Sequence, residues 1–256
     1  MYEVLKQWIA ESSRIVFFGG AGVSTESGIP DFRSENGLYN AEHQFGHSPE
    51  ELVSYFFYKE HTDEFFDYYK HNLICRDALP NNAHKALAKL ERQGKLRGIV
   101  TQNTDGLHQM AGNRAVYELH GSVRENTCTS CGAQYDLDYV MAPENCADEE
   151  GRQTWTPRCI KCGAVVKPDV VLYGESLDNS VLEGAMRALA EADLLIVGGT
   201  SLAVYPAAGL LEYYRGKHLV LINRSETAFD SRADLVIRDS IGKVLGECVL
   251  CQGETV

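Results

Sequence analysis

Two cysteine pairs, Cys128-x2-Cys131 and Cys159-x2-Cys162, stand 27 residues apart, and each is followed by a glycine, Gly132 or Gly163. Glycine permits the tight turn that brings both sulfurs of a pair onto one ion. Four thiolates leave no open coordination position, which points to structural zinc, although the gap exceeds the commonest spacing of about 15–20. Two other thiol features compete. Cys146 lies between the pairs without a paired partner, and Cys248-x2-Cys251 continues an apolar helical pattern from Val244 and Leu245, as helix-face cysteines would.

Three further groups could do chemistry. The string Gly19-Gly20-Ala21-Gly22-Val23-Ser24 ends a strand-like run. Small residues there let backbone N–H groups approach a phosphate, and a helix starting next adds partial positive charge. The string does not match G-x-G-x-x-G, and a structural turn would look the same. No ribose-binding acid is placed at the usual distance of about 20 residues, so a standard dehydrogenase is disfavoured. His120 follows another strand-like run; an imidazole titrates near neutrality and suits a general base, although a capping histidine reads alike. Gln102-Asn103-Thr104-Asp105 ends a third run and reads on its own as a polar loop and helix cap.

The elements that must position these groups are legible as short apolar runs. Ile15–Phe18, Gly98–Thr101, Ala115–Leu119, Leu194–Val197, Leu219–Ile222 and Leu235–Ile237 are mostly β-branched or aliphatic on both faces, as strands of a covered parallel sheet are. Helical patterns fall at Ala83–Gln93, Leu177–Ala192 and Ala207–Tyr214, and an amphipathic helix opens the chain. This alternation predicts an α/β doubly wound fold. Two stretches interrupt it. Residues 35–82 carry an aromatic cluster and read as a helical insertion with its own packing. Residues 123–164 hold five of the eight cysteines and read as a module held by metal rather than by a core. The remaining segments, 1–34, 83–122 and 165–256, form the discontinuous main domain.

Apolar residues are 44% and charged residues 23% of the 256, an ordinary globular balance. The net charge of −12 argues against direct nucleic-acid binding and favours basic partners such as lysine-rich protein segments. No membrane span or targeting segment is read, so a cytoplasmic location and a monomer are expected, and eight cysteines in a reducing compartment favour metal over disulfides.

The stretch Gly20 to Arg33 resembles the N-terminal signature of sirtuins. So do Thr101 to His108, Glu118 to Ser122, Gly198 to Leu202 and Asn223, in the family's order over essentially the whole chain. The resemblance implies a Rossmann-like domain with a zinc-binding module. It also implies NAD-dependent removal of acetyl groups from protein lysines, yielding nicotinamide and O-acetyl-ADP-ribose. His120 maps to the family's base. Asn103 maps to the group holding a water or ribose hydroxyl, and Asp105 to the carboxamide contact. Ala21, Thr25, Phe32, Arg33, Gln102 and Thr104 map to the NAD site near the phosphates, ribose and nicotinamide; Thr200, Ser201, Asn223 and Ile241 map to its far side. Val170, Val171, Leu172, Tyr173 and Gly174 map to one wall of the acetyl-lysine peptide cleft, and Val204 and Tyr205 to the other. The chain departs from the family's common residues at Thr104, usually aliphatic, and Tyr173, usually phenylalanine. The Tyr-x-x-Arg pair of members that remove acidic acyl groups has as its nearest counterpart Tyr69-Lys70-His71-Asn72, without the arginine, so acetyl is the expected group.

Overall fold

The computed structural model describes residues 2–31, 46–148 and 150–251. Its strands, in chain order, are β1 (Ile15–Gly19), β2 (Leu96–Thr101), β3 (Val116–Glu118), β4 (Gly121–Cys128), β5 (Gln134–Asp136), β6 (Cys146–Ala147), β7 (Gln153–Pro157), β8 (Val166–Val170), β9 (Leu194–Gly198), β10 (His218–Ile222) and β11 (Leu235–Ile237). Six form one parallel sheet in the order β11-β10-β9-β1-β2-β3. These are the six runs read from the sequence. The order reverses between β1 and β9, where Gly19 pairs with Gly198. Open α/β sheets bind ligands at such a point, beyond the carboxyl ends of the strands.

Alternation along β1 builds the two faces. Ile15 and Phe17 join a core covered by helices Glu3–Glu11, Asn82–Arg92 and Ile241–Leu245; Val16 and Phe18 join one covered by Asn179–Glu191 and Ala207–Tyr213. The last of these is a 3-10 helix rather than an α-helix. Pro206 precedes it and Gly209 sits inside it, leaving too short a run of good helix formers for α-helical turns to propagate.

The aromatic segment and the cysteine module do not pack separately. Phe57, Phe65, Phe66, Tyr68 and Tyr69 share one buried cluster with Val123, Val140, Val166 and the buried cysteines Cys128 and Cys159. The module therefore has an apolar core, lent to it by the insertion. No described helix is long and apolar enough to cross a membrane.

Candidate active site and zinc centre

The four paired cysteines converge. Their sulfurs all lie within 4.8 Å of one another, with Cys128 to Cys162 at 3.4 Å and Cys131 to Cys159 at 3.6 Å. Tetrahedral zinc with thiolates places sulfurs about 3.8 Å apart, so the group fits this site with little adjustment. Both turns have the same construction. Gly132 and Gly163 adopt φ of 69° and 76°, and their N–H groups donate to the carbonyls of Cys128 and Cys159. Nothing lies near the position of a Cβ at either glycine, so backbone angle rather than space requires them. The Tyr135 hydroxyl lies 3.0 Å from Cys159 Sγ. Burial raises the Cys159 thiol, but hydrogen bonds from Tyr135 and from the N–H groups of Lys161 and Cys162 outweigh it and bring it down to about 6. Cys146 stands outside this cluster, and Cys248 is packed in the main core, as a helix-face cysteine.

At the switch point two loops meet in backbone contact. The N–H of Gly22 donates to Gly199 O at 2.8 Å, and a Cβ on Gly22 would lie 2.9 Å from Gly199 Cα. Gly20 faces Thr200 equally closely. Among the described residues, no α-helix starts at the glycine string. Two 3-10 turns, Ala21–Val23 and Thr25–Ser27, end at Gly28 with φ of 85°, so the expected helix dipole is reduced to a few N–H groups. Asn81, which caps helix Asn82–Arg92, also donates to Val23 O and Ser27 Oγ and thereby holds these turns.

Gln102, Asn103 and Asp105 follow β2 and reach the same crevice. Gln102 Nε2 donates to Thr200 Oγ1 at 3.0 Å. Ser24, buried, donates to Asp105 Oδ2 at 2.6 Å and accepts from Asn103 Nδ2 at 3.0 Å. Asp105 Oδ1 accepts from the N–H of Leu107. Ser24 is thus the hinge of the network, and sequence reasoning did not single it out; its place at the end of the glycine string was the available signal. Thr104 contributes its carbonyl to the N–H of Val123.

His120 stands just past β3. Its Nδ1 lies 2.9 Å from the carbonyl oxygen of Gln102. A carbonyl only accepts, so Nδ1 carries the proton and Nε2 presents a lone pair. Burial lowers the pKa of this imidazole, opposed in part by that hydrogen bond. Glu118, two residues earlier, is pushed up to about 7 by burial, which a hydrogen bond from Gln109 only partly offsets.

The segment Val170–Gly174 is tied to this histidine. Val171 N donates to His120 O at 2.9 Å, and Gly121 pairs with Val170. Gly121 has φ of 73°, and a Cβ there would lie 1.8 Å from Asp169 O, so no other residue fits. The backbone of Tyr173 is engaged by Val53 and Tyr55. Leu172 is buried, while Tyr173 is 44% exposed. A cavity of about 490 Å3 runs along Val170, Val171 and Gly174, lined also by Tyr55, Asp169 and Glu175. Val204 and Tyr205 do not line it. A second cavity of about 320 Å3 reaches Ile29 and Asp105.

Ala21 and Thr25 lie in the 3-10 turns, Thr200 and Ser201 follow β9, and Asn223 follows β10 with Nδ2 on Ser225 O. Ile241 is buried against Gly198 in the main core. Phe32 and Arg33 lie outside the described residues.

The sequence profile of the Sir2 family matches residues 20–206. A Clostridium acetobutylicum protein named NAD-dependent protein deacetylase is 59% identical over 241 residues, covering 94% of this chain and 95% of its own. A Clostridium perfringens protein of the same name is 58% identical over 246 residues, covering 96% and 97%. Among solved structures, a Sir2 variant with a deacetylated p53 peptide and 3'-O-acetyl ADP-ribose superposes with a TM-score of 0.86 at 35% identity, covering 98% of each chain. A Sir2 homologue variant bound to ADP-ribose gives 0.84 at 39% identity, covering 98% and 96%. With site geometry, fold and sequence in agreement, this chain belongs to the Sir2 family.

Proposed function

We propose that the chain is an NAD-dependent protein deacetylase that removes acetyl groups from lysine side chains of proteins. The observation that carries this reading is His120, its Nδ1 held by Gln102 O and its Nε2 left as a base, joined through its own carbonyl to the Val170–Gly174 segment. Relatives that span nearly the whole chain bear this name, and Sir2 structures hold NAD with a p53 peptide or the acetylated ADP-ribose.

NAD supplies the ADP-ribose that receives the acetyl group, and nicotinamide leaves. The glycine loop and the residues Ala21, Thr25, Thr200, Ser201 and Asn223 bind the dinucleotide across the switch point, with Ile241 packed behind and Phe32 and Arg33 completing the site. The close Gly20–Thr200 and Gly22–Gly199 contacts fit a cradle that a side chain would fill. Asp105, oriented by Ser24, accepts from the carboxamide of the nicotinamide, and Asn103, held by the same hydroxyl, positions a ribose hydroxyl or water. Gln102 and Thr104 complete that wall. His120 Nε2 takes the proton of a ribose hydroxyl. Val170 to Gly174 pair with an extended substrate. Tyr173 N and O are already engaged, so the pairing falls to Val171 O and Gly174, with Val204 and Tyr205 across the cleft. Zinc on Cys128, Cys131, Cys159 and Cys162 would hold the module's two turns together and supply no chemistry to the reaction.

On this reading segments 1–34, 83–122 and 165–256 form the NAD-binding unit, beside the insertion 35–82 and the zinc module 123–164, in a monomeric cytoplasmic enzyme. The test is mass spectrometry of an acetyl-lysine peptide: loss of the acetyl group only when NAD is present supports the reading, and loss without NAD, or none with folded zinc-loaded protein, contradicts it.

A further inference from the structure

Lys70 and Cys146 form a buried pair that the zinc centre and the active site leave unused. Lys70 Nζ donates to Cys146 Sγ at 3.0 Å, and the two residues are 6% and 3% exposed. Lys70 lies on the turn Tyr69–Leu73 of the aromatic insertion, and Cys146 on β6 of the cysteine module. Among the described residues Lys70 makes no ion pair with a carboxylate; its other neighbour of note is the Phe66 ring, 6.0 Å from Nζ. A buried ammonium without a carboxylate is costly, and a sulfur is a poor substitute for one. Cys146 has its own outlet at the carbonyl of Ala142, 3.4 Å away. An amine nitrogen and a thiol sulfur are therefore held in hydrogen-bond contact away from solvent, within reach of bond formation.

We propose that Lys70 and Cys146 are a modification site, at which a hydroperoxide converts the contact into a covalent sulfur–nitrogen bond between insertion and module. In the first step Cys146 Sγ attacks one peroxide oxygen. The S–O bond forms, the O–O bond breaks, sulfur is oxidised by two electrons, and the peroxide is reduced to water, leaving a sulfenic acid. In the second step the Lys70 Nζ lone pair attacks sulfur; an ammonium first gives a proton to solvent. The S–N bond forms, the S–O bond breaks, and the oxygen leaves as water with one amine proton. The sum is thiol, amine and hydrogen peroxide giving a sulfenamide and two waters. A thiol reductant reverses it by attack on sulfur. Hydrogen peroxide is little larger than water, and β6 is a two-residue strand flanked by the partly exposed Asn145 and Ala147 with an irregular register to β7, so modest local opening admits it. The nearby amine diverts the sulfenic acid from further oxidation.

The test uses the full-length, zinc-loaded protein treated with hydrogen peroxide, alkylated, digested without reductant and mapped by mass spectrometry. The expected product joins the Lys70 and Cys146 peptides, is lighter than their sum by two hydrogen atoms, and is lost on thiol treatment. The Lys70→Arg variant is expected to lose the product and to carry Cys146 to the sulfinic acid. Three results on the unsubstituted protein overturn the proposal: Cys146 still alkylatable after unfolding, Cys146 as sulfinic acid with Lys70 free, or Cys146 in a disulfide.

Discussion

The carbonyl oxygen of Gln102 accepts from His120 Nδ1 at 2.9 Å, which settles the imidazole tautomer from outside the ring. The same residue's side chain reaches Thr200 across the switch point. Gln102 therefore ties His120 to the crevice at the switch point, and on the proposed reading the imidazole is neutral where it must accept a proton. Replacing the imidazole, His120→Ala, is expected to lower kcat by about 100- to 10,000-fold, the usual range for a lost general base, while far-UV circular dichroism and zinc content stay unchanged.

Burial places the folded pKa of His120 below its ordinary value of 6.5. A base must be unprotonated, so activity limited by it falls only as pH drops through a value below 6.5. A kcat–pH profile checks this, and an acid limb above 6.5 would contradict it.

Ser24 is the shared partner of Asn103 and Asp105. Ser24→Ala leaves a carboxylate without one of its hydrogen bonds, a loss of about 2 kcal/mol. The expected result is a roughly thirty-fold fall in kcat/KM for NAD, with the acetyl-peptide KM unchanged, measured by varying each substrate in turn.

Two buried histidines give the protein an acid limit. Burial lowers His84 to about 4 and His108 to about 3, and the rings contact each other at 4.7 Å. The unfolded chain binds protons at 6.5 that the folded one refuses. Their share of stability is whole above pH 6.5 and is lost as pH falls below it, at up to about 1.4 kcal/mol per pH unit for each ring. Urea midpoints between about pH 7 and about pH 5 are expected to fall on this account, with a flatter slope in His108→Phe.

The phenol of Tyr135 supports the zinc centre through Cys159 Sγ. Groups that hold a metal ligand from behind commonly contribute about 10- to 100-fold in affinity. Tyr135→Phe is expected to release zinc to a chelating dye at least about tenfold faster, and an unchanged rate would remove Tyr135 from the centre's support.

The sequence disclosed most where chemistry and position coincide along the chain. Every strand of the main sheet was readable, because residues such as Ile15 to Phe18 are apolar on both faces and only a covered parallel strand requires that. The zinc ligands were readable because both turns follow one local rule. Ser24, Asn81 and Tyr135 were not, because a serine, asparagine or tyrosine carries no mark of the partner that folding will bring to it. The Lys70–Cys146 contact spans 76 positions and joins two segments that sequence patterns treat as separate. The turns after Gly20 read as a helix start in the sequence, which does not show the close packing of Gly20 and Gly22 on Thr200 and Gly199; the second turn stops at Gly28, whose left-handed φ of 85° caps it.

On the proposed reading this site cleaves NAD in the service of acetyl-lysine. Nicotinamide release should be measured with acetyl-lysine peptide, with unmodified peptide and with no peptide. Release is expected only with the acetyl-lysine peptide, matched one for one by deacetylated product, and is expected to be lost in His120→Ala. Equal release in all three conditions would contradict this reading and identify a plain NAD hydrolase.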